Sequence, residues 1–175
     1  EVAGLNSARA DLAQQVLLQR LNSASNSSKE QILGALQRLL IETNRSALKV
    51  RAANILIHQD AFPKDKLDRV VRSCDAQTLR FFVDHAEQIG LTQEDRTLLW
   101  AAIDPELLRA SAALAMSVAV ESSQDRQPPV KLIAQALVTH AQDAWMLDAS
   151  NFLKPTSIDG VLREVLDSKL DIKNL

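Results

Sequence analysis

The feature that most limits what this chain can fold into is a join of six residues, Asp104-Pro105-Glu106-Leu107-Leu108-Arg109. Asp104 has the side chain of a good N-cap, because its carboxylate can accept from the free backbone N–H groups of a helix's first turn. Pro105 suits the first helical position, where its missing N–H costs nothing and its fixed φ is already helical. Glu106 places negative charge at the positive end of the helix dipole. The run Leu107 to Met116 that follows is rich in strong helix formers. The preceding run, Thr97 to Ile103, is apolar at helical spacing. Two helices therefore meet with almost no loop, which predicts a tight αα-hairpin.

The same join recurs. Asp75-Ala76-Gln77-Thr78-Leu79-Arg80 repeats the cap, the Leu and the Arg at an offset of 104 − 75 = 29. Asn44-Arg45-Ser46-Ala47-Leu48-Lys49 keeps the order with conservative changes, at 75 − 44 = 31. Asp143-Ala144-Trp145-Met146-Leu147-Asp148 is a looser copy, at 143 − 104 = 39, and the polar loop Ser122 to Pro129 accounts for the longer interval. An apolar pair precedes each cap at the same distance: Leu39-Leu40, Val70-Val71, Leu99-Trp100 and, less clearly, Val138-Thr139. A supersecondary unit that recurs in this way predicts a repeat architecture.

The residues Asp104 to Leu114 resemble the inter-helix turn and second helix of a HEAT-type repeat, through the pattern Asp-Pro-x-[Val/Leu]-Arg-x-x-Ala. Asn44 to Ala53 and Asp75 to Ala86 resemble it less closely, and the resemblance spans about residues 29 to 152. The spacing is shorter than the about 40–47 residues of HEAT and armadillo units, nearer to short HEAT-like units. The resemblance implies an all-α fold: an α-solenoid of three to four stacked antiparallel helix pairs with a flanking helix at each end. It also implies a ladder between neighbouring repeats, made by the turn acid and the following base. That role would fall to Asp75 with Arg80, Asp104 with Arg109, and Asn44 with Lys49. At the copy that begins with Asp143 the base is replaced by Asp148, so the ladder should fail there.

Composition fits this reading. The 175 residues are 46% hydrophobic and 24% charged, enough for one domain, residues 1–175, with a real core. Aromatics reach only 3% and glycines number 4, so the interior must be built from Leu, Ala, Val and Ile, which favours packed helices over sheets. The net charge of −2 implies no strong attraction to nucleic acid or anionic membrane. Cys74 is the sole cysteine, which rules out an internal disulfide and leaves the compartment open. No run approaches the ~20 apolar residues of a membrane span. The chain begins at Glu1 rather than Met, as expected of a processed protein or a piece of a longer one.

In order, the predicted helices run from Ser7 to about Leu21, with Leu12, Val16 and Leu17 on one face, and then from a Ser27–Glu30 capping box to about Thr43. The next spans Arg45 to about Gln59. Another opens at Pro63 and ends near Cys74. Asp75 caps a helix that Gly90 terminates. Thr92 with Asp95 caps the next, and Asp104 the one after. Pro128-Pro129 leads into a helix to about Ala141, Asp143 opens its partner to about Phe152, and Thr156 or Ser157 starts a last helix to about Lys169. The first and last helices read as end caps, with polar outer faces such as Arg9, Gln14, Gln15 and Gln19, or Arg163, Glu164 and Asp167.

Candidates for chemistry are few. His58, His85 and His140 fall in separate predicted helices, outside any His-x-x-x-His or Cys-x-x-Cys spacing, so no metal or cofactor is implied. Cys74 occupies the place of Ile103 in the next unit and reads as a small packing residue. There is neither a Gly-rich phosphate loop nor a Gly-x-Ser-x-Gly elbow. Asp65 with Arg69 and Asp68 with Arg72 read as i, i+4 ion pairs. The basic stripe Lys66, Arg69 and Arg72 is interleaved with these acids and lacks the footprint of a nucleic-acid binder. Trp100 and Trp145 read as core anchors. Phe81 is different: its neighbour Phe82 fits the packing face with Leu79, Val83 and Ala86, so Phe81 should point elsewhere, equivalent to Val50 and Ala110, either packing against the adjacent repeat or joining an apolar strip along the second helices that a partner could cover.

The function expected is therefore non-catalytic: a scaffold that offers a protein or peptide the surface of its second helices, with Val50, Arg51, Phe81 and His85 as candidate contacts. The alternatives are a structural or regulatory domain packed within a longer chain, and an enzyme or nucleic-acid binder on a HEAT-like scaffold.

Overall fold

A computed structural model of the chain describes residues 2–72, 74–123 and 128–140, with residues 160 and 163. Among the described residues the chain is all-helical, and no strand occurs. The helices are α1 (Val2–Ser23), α2 (Asn26–Glu42), α3 (Ser46–His58), α4 (Leu67–Val71), α5 (Ala76–Asp84), α6 (Ala86–Ile89), α7 (Gln93–Ala101), α8 (Pro105–Ala110), α9 (Ala112–Ser123) and α10 (Val130–Thr139), with a 3₁₀ turn at Lys64–Lys66. Packing divides the chain into two compact units, Glu1–Asp65 and Lys66–Leu175.

In the first unit α2 packs on α3, and α1 also meets α3. On α3 the buried residues Lys49, Ala52, Ala53 and Leu56 recur at i, i+3, i+4 and i+7, the stripe of a core-facing helix. Polar contacts tie the elements together. Arg51 Nη1 meets Asp11 Oδ1 at 3.0 Å, Gln59 Nε2 donates to Asn22 Oδ1 at 3.3 Å, and Gln37 Nε2 donates to Ala61 O at 2.8 Å. On α1, Leu12 and Val16 stay in solvent, 61% and 43% exposed.

In the second unit α4 packs on α7, and α5 on α9. α5 also meets α7 and α8. α10 lies against α8 and α9. The core holds Leu67, Val70, Leu79, Phe82, Leu99, Trp100, Leu108 and Leu114 among others, which includes the apolar pairs that precede the two caps.

Several helix boundaries follow from local chemistry. Asp75 caps α5 by accepting from Thr78 N at 2.9 Å, and Asp104 caps α8 by accepting from Leu107 N at 2.8 Å with Pro105 in the first turn. Thr92 and Asp95 form a reciprocal capping box at α7. Gly90 ends α6 in the left-handed region, at φ 71°, while Leu91 N reaches back to Ala86 O.

Four local expectations are corrected. Ser25, not Ser27, caps α2, accepting from Ser28 N at 3.4 Å. Asn44 does not cap α3: Arg45 takes that place without a side-chain bond, and its own N–H is held by Thr43 Oγ1 at 3.2 Å. The helix from Asp75 to Gly90 breaks at His85, which closes α5 and opens α6. The helix from Asp104 breaks at Ser111, whose extended backbone ends α8 and whose Oγ accepts from Leu114 N at 3.2 Å to start α9. A serine hydroxyl competes with the backbone for such bonds, so it can interrupt a run of otherwise strong helix formers.

Candidate interaction site

The joins at Asp75 and Asp104 open onto one cleft in the second unit. This open cleft of about 380 Å³ is lined by Cys74 from the first join, Asp104 and Leu107 from the second, and Leu98 near the end of α7. Cys74 is half-buried, and its thiol donates to Val70 O at 3.0 Å. His140, at the end of α10, donates from Nε2 to Leu108 O on α8 at 2.7 Å. Asp143, Trp145 and the helix predicted from Asp143 lie outside the described residues, and of the last predicted helix only Gly160 and Arg163 are described, both helical.

The bases assigned to the turn ladder pair inside their own helices. Arg80 Nε meets Asp84 at 3.3 Å, and Arg109 meets Glu106 at 2.7 Å. Both are short-range pairs at i, i+4 and i, i+3, which a helix supplies without any neighbour. Lys49 is not a turn residue on the surface either; it is 1% exposed within the buried stripe of α3. The local spacing of Lys49, Ala52, Ala53 and Leu56 carried that signal.

Phe81 and His85 are brought together on α5. The buried face of that helix takes Thr78, Leu79, Phe82 and Val83, and Phe81 falls to its side, half-buried. The His85 ring stacks on Phe81 with centroids 4.1 Å apart and planes 24° apart. Its Nδ1 donates to Phe81 O at 2.8 Å, which fixes the ring over its partner. Phe82 meets Phe81 edge-on at 5.8 Å. Val50 and Arg51 belong to the first unit, both half-buried on α3, with Arg51 engaged by Asp11.

A buried ion pair escaped the sequence reading. Arg96 on α7 and Glu121 on α9 meet at 2.6 Å with both side chains 8% exposed. The signal was present: Arg96 shares a face with Leu99, Trp100 and Ile103, so a core-facing charge needed a partner.

Among the described residues no three His, Cys, Asp or Glu side chains gather as metal ligands. No helix there is long and apolar enough to cross a membrane. The remaining two histidine contacts are structural in geometry, as with His58 Nδ1 donating to Asn54 O at 2.8 Å. Comparison with protein-family models, curated proteins and solved structures finds no match to this chain.

Proposed function

We propose that the chain is a non-catalytic interaction module, an α-solenoid of HEAT-like helix pairs that presents its second helices to a protein or peptide. The observation that carries this reading is the ordering of the joins. Cys74 and Asp104 line one cleft, and His140 bonds the helix that Asp104 opens. First-on-first and second-on-second helix packing, α4 with α7 and α5 with α9, is what stacking of hairpins produces. Phe81 and His85 are the preferred contact pair, because a half-buried aromatic held by a stacked, hydrogen-bonded neighbour is pre-ordered and loses little entropy on binding.

Affinity capture with the parent chain, Phe81→Ala, His85→Ala and a control, Gln88→Ala, tests the proposal. A partner that binds the purified parent and control, and is lost with the first two variants while their helix content is unchanged, supports it. Retained binding of that purified partner by both variants removes this surface.

A second reading, a structural or regulatory domain within a longer chain, draws on the solvent-exposed Leu12 and Val16 of α1. Spectroscopic burial of a probe at Leu12 in a longer natural form, and not in this chain, would support it. An equally exposed probe in both forms would count against it.

A further inference from the structure

We infer that the cleft at the join edge of the second unit binds a peptide segment that presents an aliphatic side chain beside a lysine or arginine. This deepens the interaction-module reading and rests on it, at a place separate from Phe81 and His85. Its lining is largely apolar, with Val71, Leu107 and Leu98, the last 47% exposed although the adjacent Leu99 is buried. The volume of about 380 Å³ is near the low end of the ~300–1,000 Å³ of small-ligand pockets. It suits one or two side chains rather than a whole helix.

The charged lining decides the charge of the occupant. It consists of Asp68, Arg72 and Asp104. Arg72 matches Asp68 at 3.0 Å. Asp104 gives Oδ1 to its helix cap, and among the described residues no cation forms an ion pair with it. The lining therefore carries two carboxylates against one guanidinium, a net charge of −1 beside its apolar side chains. An aliphatic residue next to a base complements both features, whereas an acidic segment would meet repulsion.

NMR titration of the whole chain with the peptides Ac-Ala-Leu-Lys-Ala-NH₂ and Ac-Ala-Leu-Glu-Ala-NH₂ tests the inference. The lysine peptide should shift the methyl resonances of Val71, Leu98 and Leu107 saturably, and bind about three- to five-fold more tightly than the glutamate peptide, the factor an exposed ion pair supplies. Asp104→Asn keeps the cap, because Asn caps as well as Asp, and should erase that preference. Leu98→Ser should weaken both peptides. Equal binding of the two peptides, a preference that survives Asp104→Asn, or no saturable shift up to about 10 mM overturns the inference. Those failures leave the Phe81–His85 experiment untouched, and loss of that surface alone leaves the cleft result standing.

Discussion

Arg96 Nη1 donates to Glu121 Oε2 at 2.6 Å, joining α7 to α9 beneath a surface that leaves each side chain only 8% exposed. Removing either partner takes the counter-ion from a buried charge. Arg96→Met and Glu121→Leu should each cost about 3–5 kcal/mol of stability. The double variant Arg96→Met/Glu121→Leu should lose less than the sum of the singles, because neither charge of the pair is left behind. Chemical denaturation of the three variants measures this, and additive losses would contradict the coupling.

The caps give a milder and more local effect. Asp75→Ala and Asp104→Ala should each lower stability by about 0.5–2 kcal/mol, while the Asn variants should stay near the parent. Asp75 should be the more costly, because its Oδ1 also accepts from Thr78 Oγ1 at 2.7 Å. Thermal melts that are identical for Asp104→Ala and the parent would count against the assigned join.

Two glycines should respond in opposite directions. Gly90 sits at φ 71°, where an added Cβ is strained, so Gly90→Ala should destabilise by about 1–2 kcal/mol. Gly34 lies inside α2, and a Cβ there meets nothing within 4 Å. Gly34→Ala should therefore stabilise by about 0.5–1 kcal/mol. Paired denaturant midpoints decide the signs.

Burial separates two leucines of the same chain. Leu114 is fully buried, and Leu114→Ala should cost about 2–5 kcal/mol. Leu12 is 61% exposed, and Leu12→Ala should change stability by no more than about 0.5 kcal/mol. A large loss at Leu12 would mean that its side chain is covered in solution.

What could be read from the sequence was what depends on a few neighbouring residues. Asp75, Asp104, the Thr92–Asp95 box and the Gly90 stop all act within one helical turn, and each stands where its local pattern placed it. The misplacements arose where two local options competed. Ser25 and Ser27 could both cap α2, and Thr43 rather than Asn44 holds the entry to α3. Ser111 interrupts a run that helix propensity alone would continue. Contacts between distant residues were the least accessible. The Arg96–Glu121 pair spans α7 and α9, and Arg80 and Arg109, expected to bridge neighbouring repeats, each meet an acid of their own helix instead. On α5 the side position of Phe81 followed from period alone, but its stacking on His85 needed ring geometry.

Within the second unit, α4 lies beside α7 and α5 beside α9. Spin labels at the exposed positions Arg69 on α4, Thr97 on α7, Gln77 on α5 and Ala113 on α9 test that pairing directly in a Cys74→Ala background. Double electron–electron resonance should give Arg69–Thr97 and Gln77–Ala113 distances that are both shorter than the diagonal Arg69–Ala113 distance. A diagonal distance equal to or shorter than those two would contradict stacked hairpins.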